Sequence, residues 1–182
     1  MKIYPSMMID LETFGTTADS VILSIGAVKF NPVTGEIADT AFYRSVSLDS
    51  NLDAGRRIDE STLIWWLGQS NEAQQVFKEA KISLSAALEE LTDFFDHDDY
   101  EVWSNGADFD IPMLAHAFRS ISTDIPWKFW KTRCFRTMKN LPFAVGTEVP
   151  HHLKHNALDD AYTQVNQLIN IWKRMNMEVV CP

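Results

Sequence analysis

The apolar run Met7-Met8-Ile9 leads directly into Asp10-Leu11-Glu12, so two carboxylates stand two residues apart at the end of a segment that is otherwise suited only to burial. On a β-strand that spacing puts both side chains on one face of a sheet. Two adjacent acids repel each other, and burying them unpartnered is costly. A divalent cation between them is the usual way to make such a pair tolerable. A solvated strand end, or an acid paired with an arginine, would fit the same two residues.

The rest of the chain supplies a sheet for that strand. Residues 6–11 read as a buried strand, 21–30 as a second, and Asn31-Pro32-Val33-Thr34-Gly35 as a turn. Alternation over residues 40–48 predicts a third strand, and the short link favours an antiparallel hairpin. Residues 60–78 look helical, with Ser61 or Thr62 capping a first piece and Ser70 a second. Leu84, Leu88, Leu91 and Phe95 recur at helical spacing and predict an amphipathic helix over 83–96. Residues 101–104 suit a short strand. A helix over 109–120 with Asp108 as its cap follows, then a short helix over 133–140. The last helix runs from near Ala157 to about Met175, with Leu158, Val165, Ile169 and Trp172 on one stripe and Ala161, Gln164, Leu168 and Ile171 on another. Three strands, helices, a strand and helices predict an α/β fold: a mixed sheet, made of a three-strand antiparallel meander plus parallel strands added through helical crossovers, flanked by helices. With 182 residues and neither repeat nor linker, a single domain over 1–182 is expected.

No apolar stretch approaches the roughly 20 residues of a membrane helix, and Met1-Lys2-Ile3-Tyr4-Pro5 lacks a signal-peptide pattern. Cys134 and Cys181 are isolated, which suggests reduced thiols in a cytoplasmic protein, although two cysteines still permit a bridge. The net charge of −9 argues against a broad basic surface for duplex binding. It fits either a solubilising surface or a site whose carboxylates are offset by bound cations.

Three further residues extend the opening acid pair. Asp110 falls between Phe109 and Ile111, among positions suited to a core, just after a glycine-containing loop. A carboxylate there either complements a helix N-terminus or holds a metal. His155 and Asp160 are five apart, with a helix starting between them. That places Asp160 on the first turn, Asn156 at the N-cap and His155 on the preceding loop. Asp159, rotated about 100° from Asp160, suits the helix dipole instead. His151 and His152 lie close by, but their spacing matches no common zinc pattern, and a carboxylate-rich set suits Mg²⁺ or Mn²⁺ better. Taken singly, His155 also fits a loop histidine without a role.

The order of these pieces, Asp10-Leu11-Glu12-Thr13, then Asn105 through Phe109-Asp110, then His155-Asn156-Ala157-Leu158-Asp159-Asp160-Ala161, resembles the histidine-containing (DEDDh) branch of the DEDD superfamily of 3′–5′ exonucleases over about residues 6–176. It looks most similar to small enzymes of the phage exonuclease A and polyadenylate-tail exoribonuclease type. Residues 61–70 resemble the helix that follows the third strand in that subgroup. The acidic loop His97-Asp98-Asp99-Tyr100 departs from the pattern. The resemblance implies a ribonuclease-H-like fold and two divalent cations, Mg²⁺ or Mn²⁺, held by Asp10, Glu12, Asp110 and Asp160, with Asp10 as the bridge. His155 would be the general base, a task suited to an imidazole. The activity implied is removal of nucleoside 5′-monophosphates from 3′ ends of single-stranded nucleic acid, with DNA favoured slightly over RNA. Thr13 and Phe14 would lie beside the terminal nucleotide, and Trp66 or Trp65 would offer a second stacking platform, at least one of the two packing into the core. Asn105 and Arg133, with Arg136, are candidates for sugar and phosphate, or else Arg133 and Arg136 are solvated. A homodimer is permitted, as is the host cytoplasm if a phage encodes the chain. Two rivals are an aspartyl phosphatase, opposed by Glu12 and the late His155, and a catalytically inactive nucleic-acid-binding or adaptor module, opposed by the complete set of acids.

Overall fold

The computed structural model describes residues 4–106, 108–150 and 155–180, with side chains to residue 176. His151, His152 and Cys181 lie outside the described residues. Strands β1 (Ser6–Thr13), β2 (Ile22–Asn31) and β3 (Glu36–Ser45) are followed by helices α1 (Leu48–Asp53), α2 (Glu60–Leu67) and α3 (Leu84–Phe95). Strand β4 (Glu101–Ser104), helix α4 (Asp110–Ser120), strand β5 (Thr132–Cys134), and helices α5 (Phe135–Lys139) and α6 (Ala157–Val180) complete the chain. The sheet order is β3-β2-β1-β4-β5. The first three strands form the antiparallel meander, and β4 and β5 add parallel to β1. The expected α/β architecture is therefore the one found.

Strand β1 is buried along its whole length, and its alternation divides the core. Met7, Ile9 and Leu11 pack on one side with Leu88, Leu91 and Phe95 of α3 and Leu114 and Phe118 of α4. Met8 points to the other, where Trp103 meets Ala161, Val165 and Leu168 of α6 and Phe135 of α5. Asp10 and Glu12 share the parity of Met8, so both acids are on the α6 side. Leu84–Phe95 forms where expected because Ser83 accepts the Ala86 N–H at 3.2 Å and its apolar residues fall on one stripe.

The expected 60–78 helix is two pieces. Helix α2 is capped by Asp59, which accepts the Thr62 N–H at 3.0 Å, and it stops at Gly68; a 3₁₀ turn over Ala73–Phe77 follows. Asp59 displaces Ser61 and Thr62 as the cap because a cap must precede the first helical residue. Phe109, not Asp108, stands at the cap of α4. The third strand starts and ends earlier than expected, at Glu36 and Ser45, because pairing with β2 sets its register and residues 48–53 form α1. The acidic loop is a surface ion-pair cluster: Lys128 lies 3.3 Å from Asp98, and Lys131 lies 3.1 Å from Asp99. Among the described residues no helix is long and apolar enough to cross a membrane.

Gly26 of β2 sits directly opposite Asp10. A Cβ there would lie 2.4 Å from the carbonyl carbon and oxygen of Ala157 and 2.6 Å from the Leu158 nitrogen. The first turn of α6 thus rests on bare backbone beside the acid pair. Gly26→Ala forces the helix outward, since backbone cannot rotate away as a side chain can. The expected loss is about 1–3 kcal/mol of stability, a Tm drop of several degrees at roughly 2–4 °C per kcal/mol. Scanning calorimetry reads this directly, and an unchanged Tm would contradict such close seating.

Candidate active site

Parallel α/β sheets gather sites at the carboxyl ends of their strands, and the acids of this chain meet there. Asp10 and Glu12 end β1, with 9% and 8% of their surface exposed. Asp110, at 2%, opens α4 behind the β4 loop, and its Oδ1 accepts the Leu11 N–H at 3.2 Å, between the two β1 acids. Asp160 stands in the first turn of α6, close enough that its charge acts on both Asp10 and Glu12.

His155 lies one residue before the cap of α6. Asn156 Oδ1 accepts the Leu158 and Asp159 N–H groups at 3.1 and 3.2 Å, the expected capping role. His155 itself has φ +63°, a left-handed conformation uncommon for a side-chain-bearing residue. Its N–H donates to Asp160 Oδ2 at 3.3 Å. Its ring meets Trp65 edge-on with centroids 5.0 Å apart, and Trp66 at 6.2 Å. Ligand atoms of Glu12, His155 and Asp160 lie within 4.8 Å of one another. All five acid and imidazole groups expected at the site are therefore brought together.

Burial dominates the electrostatics. It raises Asp10 well above the ordinary carboxylate range, and the charges of Asp110, Glu12 and Asp160 raise it further, against one Gln164 hydrogen bond that lowers it. Burial, then Asp160 and Asp110, push Glu12 up to about 8. Burial pushes Asp110 up to about 7, against the opposing pull of the Leu11 N–H, its own N–H and Arg136. Such a set fits a hard divalent cation: its donors are oxygens, they are buried, and their mutual repulsion is relieved by positive charge. Gln164, whose Nε2 reaches Asp10, keeps a buried Oε1 with no hydrogen-bond partner among the described residues, as does the Oδ1 of Asn105 in the loop after β4.

Beside Glu12 opens a cavity of about 330 Å³ lined by Leu11, Thr13, Thr16, Trp65, Trp66 and Phe109 among others. Helix α2 walls it because the Trp66 Nε1–H donates to the Thr13 carbonyl at 2.9 Å and the Asp59 N–H to the Phe14 carbonyl at 2.7 Å. Trp66 is 1% exposed, whereas Trp65 is 44% exposed. Phe14 stacks on Phe77 at 5.6 Å within a small core cluster, so its ring braces the strand end. The loop after Thr13 is held from behind by the buried Arg56, whose Nη2 donates to the Ala18 carbonyl at 3.3 Å and to that of Ser20. Arg133 donates to Glu101 at 2.9 Å on β5, and it is Arg136 that approaches Gly106 and acts on Asp110.

A family model described as a 3′–5′ exoribonuclease Rv2179c-like domain matches residues 5–172. The chain belongs to this family. The expected kinship with DEDD 3′–5′ exonucleases is thereby borne out. Among solved structures, Escherichia coli exonuclease I in complex with a dA16 oligonucleotide is similar at a TM-score of 0.68 and 14% identity, covering 94% of this chain and 41% of that one. Exonuclease I from Methylocaldum szegediense matches at a TM-score of 0.67 and 12% identity, over 93% of this chain and 40% of that one. Cell-death related nuclease 4 matches at 0.59 and 12%, over 95% and 65%. The Rv2179c-like chain thus spans about two fifths of the exonuclease I chains, with which it shares the ribonuclease-H-like fold. No curated protein matches it at a significant level of sequence similarity.

Proposed function

We propose that this Rv2179c-like protein is a metal-dependent 3′–5′ exonuclease that releases nucleoside 5′-monophosphates from single-stranded nucleic acid in the cytoplasm. The observation that carries the reading is the meeting of four carboxylates and an imidazole beside an open, aromatic-lined cavity at the end of β1. Asp10, Glu12, Asp110 and Asp160 would hold two divalent cations, Mg²⁺ or Mn²⁺. When bound, such cations would supply activation of a water and would offset the charge that grows on the phosphate and the leaving oxygen.

The remaining work falls to the chain. His155, on the loop that packs against Trp65, takes the proton of the attacking water at a ring nitrogen. Water adds to phosphorus, the bond from phosphorus to the preceding 3′-oxygen breaks, and that oxygen leaves as a hydroxyl by taking a proton from solvent, to which the His155 imidazolium returns its own. The terminal base enters the cavity with Trp65 as its stacking surface, a contact worth roughly 1–3 kcal/mol and tolerant of sequence. Thr13 and Asn105 border the sugar, and Arg136 supplies positive charge to the incoming backbone. Trp66 and Phe14 support this surface from behind, through the Thr13 carbonyl and Phe77, whereas Arg133 is engaged by Glu101 at the start of β4.

RNA is the substrate to try first. The family description that names an exoribonuclease rests on a sequence match over most of the chain, whereas the oligodeoxynucleotide complexes are similar at 14% identity or less, which speaks for fold alone. Time-resolved digestion of 5′-labelled RNA and DNA oligomers with Mg²⁺ or Mn²⁺ should give a descending ladder, stopped by EDTA and by a blocked 3′ end. Full activity in EDTA, or cutting of closed circles, would refute the reading.

A further inference from the structure

Gln164 is on α6 one turn beyond Asp160, so the same helix face carries both residues. Its Nε2–H donates to Asp10 Oδ1 at 2.6 Å across the interface between α6 and β1. It is the group that draws the Asp10 carboxyl downward, against burial and three neighbouring acids. Packing does not account for it. Gln164 is 6% exposed among Ala161, Val165 and Leu168, where an aliphatic side chain would suffice, and its Oε1 is buried without a hydrogen-bond partner among the described residues. Such an atom lowers stability.

We propose that Gln164 is a positioning residue that fixes the Asp10 carboxylate for a divalent cation. This rests on the metal-dependent reading above. The amide takes one Asp10 oxygen and leaves the other to the acid cluster. Being neutral at every working pH, it holds the carboxylate without bringing a charge. A lysine or arginine at this position would hold Asp10 equally firmly, but would neutralise the cluster and compete with the cation. An aliphatic residue would leave Asp10 free to turn. Helix α6 thereby couples the two sides of the site: when its first turn seats on Gly26, Asp160 and the Gln164 clamp arrive together.

The test uses the full chain without substrate. Mn²⁺ affinity is measured by titration calorimetry or electron paramagnetic resonance, and Tm is measured in EDTA, for wild type, Gln164→Met and Gln164→Leu. Loss of an outer partner of a ligand typically weakens metal binding about 10–100-fold. That weakening is expected in both variants, with the Tm in EDTA within about 4 °C of wild type and turnover recovering as Mn²⁺ is raised. Mn²⁺ affinity within twofold of wild type in a folded variant overturns the proposal. So does a large Tm loss in EDTA with no separate change in Mn²⁺ affinity, which would make Gln164 a brace. If wild type itself binds no divalent cation, the metal-dependent reading falls and the proposal with it, a result distinct from failure of the variants alone.

Discussion

Replacing Asp10 with asparagine is expected to lower turnover at least about 10³-fold, equivalent to about 4 kcal/mol of transition-state stabilisation, while making the metal-free protein more stable at pH 8. Asparagine keeps the shape and can still accept from Gln164. It cannot supply the negative charge on which the proposed cations depend. The stability gain follows from the pKa directions. Glu12, ordinarily near 4.5, is pushed up to about 8 in the fold, so the folded chain retains a proton that the unfolded chain releases as pH rises between those values. The sign is fixed by linkage: the contribution is fully present below about pH 4.5 and is lost as pH climbs through about 8. Asp10 and Asp110 are raised in the same direction. Metal-free wild type should therefore lose Tm from pH 5 to pH 8, and Asp10→Asn should lose less, because one of the repelling charges is gone. Added Mg²⁺ or Mn²⁺ should raise the wild-type Tm more at pH 8 than at pH 5, and should do little for Asp10→Asn. Fluorimetry in EDTA and in saturating metal at both pH values checks this. A variant with more than a tenth of wild-type turnover would remove Asp10 from the mechanism.

Truncating His155 is expected to lower kcat by about 10²–10⁴-fold, the range for a positioned general base, with KM and Mn²⁺ affinity close to wild type. The contrast matters because Glu12, His155 and Asp160 lie within 4.8 Å of one another. An imidazole acting as a metal ligand would cost Mn²⁺ affinity on truncation, whereas a base would not. The backbone provides a second contrast. His155 has φ +63°, and alanine there keeps the left-handed strain that glycine relieves. His155→Gly should therefore be about 1 kcal/mol more stable than His155→Ala, while both are equally inactive. Urea denaturation and single-turnover kinetics on the two variants separate strain from chemistry. Equal stabilities would show that the strained turn is held by its surroundings, including the N–H donated to Asp160 and the packing of Trp65.

Much of the architecture was legible because it depends on local periodicity. The period of two along β1 put Asp10 and Glu12 on one face, and helical spacing marked α3 and α6 with their buried stripes. Elements that were not legible are short or owe their existence to pairing. Strand β5 is three residues long and exists because β4 lies beside it; α1 follows from the Ser47 cap more than from any apolar pattern. Asp59 is masked as the cap of α2 in the sequence because two hydroxyl residues, Ser61 and Thr62, stand close after it.

By itself the sequence determined which residue types would gather, and in what order: an acid pair at a strand end, an aspartate opening one helix, and a histidine and an aspartate flanking the start of another. The tertiary structure decided which of several similar neighbours touches the site. It buried Trp66 in the cavity wall and left Trp65 half exposed beside it, tied Arg133 to Glu101 while bringing Arg136 towards Asp110, and turned Gln164, one polar residue on an apolar stripe, towards Asp10. Spacing along a chain fixes the face of an element that a side chain occupies. What that face meets is set by contacts between segments distant in sequence, from 32 residues for Arg133 and Glu101 to 154 for Gln164 and Asp10, and local pattern carries no record of these.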